Sequence, residues 1–80
     1  MKTVYKYTTG IVNMPKGAIV RKAAMQDGQV QLWAEVDTDN PLEQRHFVSY
    51  GTGWEIEEDN ICYIDTVFDG IYVWHVYEVV

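Results

Sequence analysis

The last twenty residues, from 61 to 80, constrain the fold more than any other part of the chain. They read ICYIDTVFDGIYVWHVYEVV, two apolar and aromatic runs on either side of Asp69 and Gly70. Because an Asp-Gly pair readily adopts the positive φ angles of a tight primed turn, this pattern predicts a β-hairpin closed by these two residues. In that register His75 lies opposite Ile64, and both faces are rich in apolar groups. We therefore expect both faces to be covered, by the rest of the chain or by a second copy.

A second Asp-Gly pair predicts another hairpin earlier in the chain. Residues 18–36 form two alternating runs separated by Asp27 and Gly28. Simple alternation puts one charged residue, Arg21, on the apolar face and one large aromatic residue, Trp33, on the polar face. Local departures from a pattern concentrate at functional sites, so both residues are candidates for a binding role.

The whole chain reads as one β domain over residues 1–80. Turn-forming residues recur at short intervals, and no stretch has the periodicity of a helix of three turns. We expect an all-β fold, a small antiparallel sandwich or barrel of five to six strands with two Asp-Gly hairpins. A chain of 80 residues buries a small core, because only about 60% of its unfolded surface can be removed from water.

Composition excludes several classes of function. Twelve acidic residues against six Lys and Arg give a net charge of −6, which argues against direct nucleic-acid binding. The single cysteine, Cys62, cannot form an internal disulfide and favours a reducing compartment. No apolar run reaches the roughly 18–20 residues of a membrane span, and residues 1–9 lack the apolar core of a signal peptide. We expect a cytoplasmic protein that does not bind membranes.

Residues suited to catalysis or to metal binding are too sparse to form a site. His46, His75 and Cys62 show none of the spacings of metal motifs, and nothing in the sequence marks an oxyanion hole for a Cys62–His75 nucleophile pair. We expect the imidazole of His75 to bond to Thr66 or to a backbone group. The sequence therefore predicts no enzyme, no catalytic residues, no metal and no cofactor.

Surface aromatic and acidic residues are the better candidates for function. A run of acids at 55–59 could steer a basic protein, and large aromatics often anchor partners. The candidate partner-binding residues are Trp33, Trp54, Tyr72, Trp74, Glu57 and Glu58.

An alternative set contains cations and could bind an anionic ligand. It draws on the cross-strand Lys22–Trp33 pair, on the Pro-Lys-Gly turn and on the Gly-Thr-Gly loop, whose backbone N–H groups could cradle a phosphate. A simple strand-ending turn is the other interpretation of that loop. The candidate ligand-binding residues are Lys16, Arg21, Lys22, Trp33 and Thr52.

Four short motifs give the chain a resemblance to a known family. They are Met-Pro-Lys-Gly-Ala at 14–18, Leu-Trp-Ala at 32–34, Tyr-Gly-Thr-Gly at 50–53 and Val-Trp-His-Val-Tyr-Glu-Val at 73–79. Their order resembles a family of short domains of unknown function encoded mainly by tailed bacteriophages and prophages. That resemblance implies a small accessory phage protein acting in the cytoplasm of the bacterial host. Because the family has no assigned activity, no residue role is carried over from it.

Three functions remain open at this point. The first is inhibition of a host defence protein by binding, which predicts an aromatic patch rimmed by acids. The second is an oligomeric sponge that sequesters a nucleotide signal, which predicts that the cations converge beside an aromatic residue. The third is a structural or accessory role in the virion. Under all three we expect a homodimer or a higher oligomer, because the strands are apolar on both faces.

Overall fold

Seven antiparallel strands and no helix make up the computed structural model, which describes residues 1–80. The strands are β1 (Lys2–Thr8), β2 (Gly10–Pro15), β3 (Ile19–Gln26), β4 (Gln29–Asp37), β5 (Leu42–Gly51), β6 (Ile61–Asp69) and β7 (Tyr72–Val79). With no helix present, the chain has no helical segment long and apolar enough to cross a membrane.

The strands form two sheets, and neither closes into a barrel. One sheet has three strands in the order β1-β4-β3, and the other has four in the order β2-β5-β7-β6. The all-β prediction is confirmed, but the expected count of five to six strands is wrong. One extra strand arises because Gly10, at a φ of 103°, turns the chain from the first sheet into the second after only one intervening residue.

The β3–β4 hairpin contains a β-bulge that changes the expected facing of one residue. Gln26 pairs with Gln29, and Asp27 and Gly28 between them have φ angles of 55° and 78°. The ladder then shifts by one residue between Val20 and Lys22. Arg21 therefore does not lie on the apolar face; its side chain is 57% exposed and pairs with a carboxylate on the solvent side.

The β6–β7 hairpin differs from the expected register. Asp69 pairs with Tyr72, so the connecting residues are Gly70 and Ile71 rather than Asp69 and Gly70. Gly70 has a φ of 59°, which supplies the positive angle that the turn needs. Between the turn and Asp65, the partner of each β6 residue moves by two positions, which keeps the same side chains on each face. A second register shift, between Tyr63 and Asp65, reduces the offset to one position for residues 61–63.

The two sheets share one small core. Only 11 of the 80 residues are buried, and the largest of these, Phe47, contributes roughly 1.5–3 kcal/mol by its burial. Nine apolar side chains, drawn from both sheets and the turn before β3, form the buried cluster: Met14, Ala18, Ala23, Leu32, Ala34, Val36, Phe47, Val67 and Val76.

A carboxylate links the two sheets where their edge strands meet. Asp65 in β6 accepts hydrogen bonds from the backbone N–H of Ala23 in β3 at 3.0 Å and of Thr66 at 2.8 Å. Its carboxylate also lies 3.3 Å from the ammonium of Lys22. Burial alone would raise the pKa of Asp65, but these donors outweigh burial and hold the pKa below its usual range. This side chain therefore joins two edges that no backbone ladder closes.

A half-buried ion pair holds the opposite end of the four-stranded sheet. Arg45 donates two hydrogen bonds to the carboxylate of Glu78, at 2.7 and 2.8 Å, and a third to the backbone carbonyl of Ala18. The two side chains are only 16% and 15% exposed. These hydrogen bonds to Glu78 raise the pKa of the Arg45 guanidinium above its usual value. The pair also lines the largest surface depression, of about 530 Å³, and its charges are already satisfied within the fold.

Candidate functional site

Three aromatic side chains gather at the end of the four-stranded sheet where β5 stops and β7 begins. The ring of Trp54, in the loop after β5, meets the ring of Trp74 edge to face with centroids 5.4 Å apart. Tyr72 stacks on Trp74 with centroids 6.2 Å apart. We call Trp54, Tyr72 and Trp74 the aromatic cluster. Trp54 and Tyr72 are 60% and 61% exposed, so the cluster presents large aromatic surfaces to solvent.

The glycine-rich turn before Trp54 explains why its indole lies against the sheet. The backbone N–H of Trp54 donates to the carbonyl of Gly51 at 3.0 Å, and Gly53 has a φ of 86°. A side chain at Gly51 would put its Cβ 2.8 Å from Cε2 of the indole, closer than atoms pack. Because Gly51 has no Cβ, the indole can lie directly on the end of β5.

The same turn does not form a phosphate cradle. The N–H of Thr52 donates to the carbonyl of Val73 at 3.3 Å, and the N–H of Trp54 is used within the turn. A nest of free backbone donors is therefore not available at this loop. The alternative interpretation from the sequence, a strand-ending turn, describes this segment better.

A depression of about 410 Å³ lies beside the aromatic cluster. Ile71, in the hairpin turn next to it, is 91% exposed, the most exposed large apolar residue of the chain. The depression is lined by Gly51, Thr52, Trp54, Ile71, Tyr72, Val73 and Trp74. Its walls are mainly aromatic and aliphatic, and the polar groups of the lining side chains include the Thr52 hydroxyl, the Trp54 indole N–H and the Tyr72 hydroxyl.

A second depression, of about 240 Å³, shares one wall with the first. Gly51, Thr52 and Trp54 line both, and the second adds Tyr50, Gly53, Ile56, His75 and Tyr77. Tyr77 meets Tyr50 and Tyr63 edge to face, with centroids 6.1 and 5.7 Å away. Trp54 therefore stands between two aromatic-walled depressions.

Hydrogen bonds fix the imidazole of His75 at the floor of the second depression. Its Nε2 lies 2.9 Å from the hydroxyl of Thr52, and its Nδ1 lies 3.4 Å from the hydroxyl of Thr66. The predicted bond to Thr66 is confirmed, although His75 pairs in the ladder with Thr66 and not with Ile64. Cys62 pairs with Glu78 instead of lying near His75, so these two residues do not form a nucleophile pair.

The acidic run lies in the same loop as Trp54. Its four acids are exposed, and none takes part in an ion pair. They are Glu55, Glu57, Glu58 and Asp59, and we call them the acidic loop. Their charges are available to an outside partner because no cation of the chain neutralises them.

The remaining candidates lie apart from the aromatic cluster. Trp33 is half-buried in the three-stranded sheet, with Lys6 and Lys22 as its cross-strand neighbours. Arg21 pairs with Glu35 at 3.3 Å on that sheet. Of the proposed ligand-binding set, only these residues of the three-stranded sheet are near one another.

Two members of that set are elsewhere. Lys16 lines a separate depression of about 180 Å³ together with Lys2 and Asp37. Thr52 lies in the turn after β5 and bonds to His75. No group of three or more His, Cys, Asp or Glu side chains is arranged to hold a metal ion.

Several residues of the two depressions were not among the sequence candidates, and the large apolar and aromatic ones are Tyr50, Ile56, Ile71 and Tyr77. Ile71 could have been found, because an isoleucine directly after a turn glycine has no neighbouring strand to cover it. The others could not, since their contribution depends on how the loop after β5 folds back over the sheet.

The fold and the cluster define a class: a small all-β protein of two antiparallel sheets with an exposed aromatic surface beside an acidic loop. Residues 1–80 match the family model of a domain of unknown function, DUF7352, so the chain belongs to that family. Comparison with curated proteins and with solved structures found no match.

Proposed function

We propose that this domain acts by binding another protein through the aromatic cluster and has no catalytic activity of its own. The observation that carries the proposal is the exposure of Trp54, Tyr72 and Ile71 around one depression. Exposed Trp and Tyr side chains in concave surroundings are the residues that most often dominate binding energy at interfaces. Singly exposed apolar residues are ordinary, but a contiguous group of them is not.

Charge defines the kind of partner. The acidic loop continues directly from Trp54, and the chain as a whole carries a net charge of −6. A partner with a basic surface would be attracted over distance and then oriented by these acids. Covering a basic functional surface would inhibit such a partner.

The setting we propose follows from the resemblance to phage-encoded domains. In this setting the domain is an accessory protein in the cytoplasm of an infected bacterium, and its target is a host defence protein. Self-association is part of the proposal, because Tyr63 and Phe68, on the outer face of the four-stranded sheet, are 59% and 76% exposed.

Two matched variants test the proposal. Trp54→Ala removes the wall shared by both depressions, and Leu42→Ser changes an equally exposed apolar residue at the far end of β5, roughly 30 Å away. The assay is affinity capture from a bacterial host lysate, followed by purification of the captured protein and measurement of its dissociation constant. We expect Trp54→Ala to weaken binding at least about 30-fold, the effect of losing a hot spot, and Leu42→Ser to have no effect.

The outcomes separate clearly. A partner that binds wild type and both variants equally would refute the role of the aromatic cluster. A partner lost in both variants would place the interface elsewhere, and capture of no protein under conditions that preserve the fold would also count against the proposal.

A second candidate is a nucleotide-binding role on the three-stranded sheet. This role is favoured because Lys22 lies opposite Trp33, and Arg21 is next to Lys22 at the β-bulge. Both cations already have carboxylate partners at 3.3 Å, and a phosphate would have to displace these. Calorimetric titration with cyclic and linear nucleotides, on wild type and Trp33→Ala, tests this role. Heat of binding that the variant abolishes would support it, and no heat with any nucleotide would reject it.

A further inference from the structure

We propose that the segment bound by the aromatic cluster is a proline-rich stretch in the polyproline II conformation, flanked by a Lys or Arg. This inference rests on the proposed function, since it names the chemistry of the partner at that same site. It follows from three features: the division of the surface by Trp54, the free polar groups around it and the adjacent acidic loop.

The first feature is the pair of depressions with Trp54 as their shared wall. A polyproline II segment repeats every three residues and rises about 3.1 Å per residue, so side chains on one face recur about 9 Å apart. Such a ligand can place one ring on each side of an aromatic wall. An amphipathic helix needs one continuous apolar groove, whereas here the apolar surface is divided into two depressions that meet at Trp54.

The second feature is a set of hydrogen-bond donors without partners. The only aromatic N–H and O–H groups bonded within the chain are those of Trp74, to Asp69, and Tyr63, to Thr66. The free donors around the two depressions are Trp54 Nε1 and the hydroxyls of Tyr50, Tyr72 and Tyr77. A polyproline II segment has no internal hydrogen bonds, so its carbonyl groups are free to accept from these donors.

The location of the donors also argues against strand addition. The edge strands of the four-stranded sheet are β2 and β6, whereas the aromatic cluster is built from β7 and the loop after β5. A peptide added to either edge would bind through backbone ladders and would not need Trp54.

The third feature is charge. Glu55 and Glu57 lie one and three residues after Trp54, are exposed and form no ion pair within the chain. A basic side chain at one end of the ligand would reach them and fix the direction in which the ligand runs. This contribution would be modest and sensitive to salt, since exposed ion pairs are screened by water and ions.

Nuclear magnetic resonance of the ¹⁵N-labelled protein tests the inference with an internal control. The chain has three tryptophans, so its spectrum contains three indole N–H signals. The probes are a synthetic decapeptide of Ala-Pro-Pro repeats ending in Arg, the same peptide with every Pro replaced by Ala, and the same peptide ending in Glu. We expect the first peptide to shift the signals of Trp54 and Trp74 and to leave that of Trp33 unchanged.

Variants then locate the interaction. Trp54→Ala should abolish the shift of the Trp74 signal, while Leu42→Ser should bind the peptide like wild type. Replacing Glu55 and Glu57 by Gln should weaken binding of the Arg peptide about fivefold at low salt. The peptide ending in Glu should bind wild type about fivefold more weakly than the Arg peptide does. Equal shifts with the Ala-substituted peptide, or no shift at millimolar peptide, would overturn the inference.

Two further outcomes distinguish this inference from the proposed function. If a purified partner depends on Trp54 but the proline-rich peptide does not bind, only the assignment of the ligand is wrong. If shifts of the Trp54 signal depend on protein concentration in the absence of peptide, a second copy fills the depressions and the inference is again overturned.

Discussion

Adding a single methyl group at Gly51 should disable the aromatic cluster without removing any aromatic residue. A Cβ at this position would lie 2.8 Å from Cε2 and 2.9 Å from Nε1 of Trp54. Carbon atoms pack at about 3.5–4.0 Å, so the indole would have to move by roughly 0.7–1.2 Å. That movement opens the edge-to-face contact with Trp74 and distorts the wall shared by both depressions.

The cost of Gly51→Ala to the fold should be small. The φ of Gly51 is not positive, so alanine is allowed there, and replacing a strand glycine by alanine contributes about 0.5–1 kcal/mol of stability. The weakened Trp54–Trp74 contact offsets this by about 0.5–1.5 kcal/mol. The net change in the free energy of unfolding should be within about 1 kcal/mol, or about 4–8 °C in Tm for a domain of this size.

The assay combines thermal unfolding, the three indole N–H signals and the dissociation constant of the partner or peptide. We expect an intact fold, displaced Trp54 and Trp74 signals, an unchanged Trp33 signal and binding weakened by at least about tenfold. Unchanged indole signals together with wild-type affinity would show that the reasoning about the Gly51–Trp54 contact is wrong. A fall of several kcal/mol in the free energy of unfolding would show that Gly51 is needed for packing of the core instead.

Three other variants test separate parts of the account. Ile71→Ser should weaken partner binding but change stability by less than about 0.5 kcal/mol, since this side chain is 91% exposed; a large fall in Tm would contradict that. Arg45→Met should lower the free energy of unfolding, measured with urea, by about 3–5 kcal/mol, because it leaves the carboxylate of Glu78 charged, half-buried and unpaired. An unchanged free energy of unfolding would contradict this and would mean that water hydrates the Glu78 carboxylate in the variant. Asp65→Ala should cost about 1–3 kcal/mol because the N–H of Ala23 loses its acceptor. Folding lowers the pKa of Asp65, so the carboxylate stabilises the fold above its unfolded pKa of about 4, and this stabilisation is lost as the pH falls through the folded pKa. The urea midpoints measured at pH 7 and at pH 3 should therefore differ less in Asp65→Ala than in wild type.

The all-β character of the fold could be predicted from the sequence, because the alternation of apolar and polar residues and the positions of turn residues agree along most of the chain. The β3–β4 register near the turn follows from Asp27 and Gly28, and Lys22 does lie opposite Trp33. The bulge at Arg21 could not be predicted, because alternation alone gives no sign of an extra residue. The physical reason for it is plain in the structure: a guanidinium on the apolar face would be buried without a partner.

The second hairpin shows how a turn motif can mislead. Asp69 and Gly70 both suit a turn, yet Asp69 joins the ladder opposite Tyr72 and its carboxylate accepts from the indole of Trp74 at 3.5 Å. Gly70 then supplies the one positive φ required. Sequence alone does not distinguish these two registers, since near the turn both place the same side chains on each face.

The candidate site could be predicted in part. Trp54, Tyr72 and Trp74 were grouped from their aromatic character and do lie together, and the acidic loop follows Trp54 in the chain. Trp33 was grouped with them but lies in the other sheet. Which strands share a sheet depends on long-range pairing, and neither composition nor periodicity contains that information.

The most direct test of the central claim is the dissociation constant of a purified partner for wild type, Trp54→Ala and Leu42→Ser, measured side by side. If the aromatic cluster is the binding site, Trp54→Ala raises the dissociation constant at least about 30-fold and Leu42→Ser leaves it unchanged. Equal dissociation constants for all three proteins would contradict the claim and move the search for the binding surface to the three-stranded sheet.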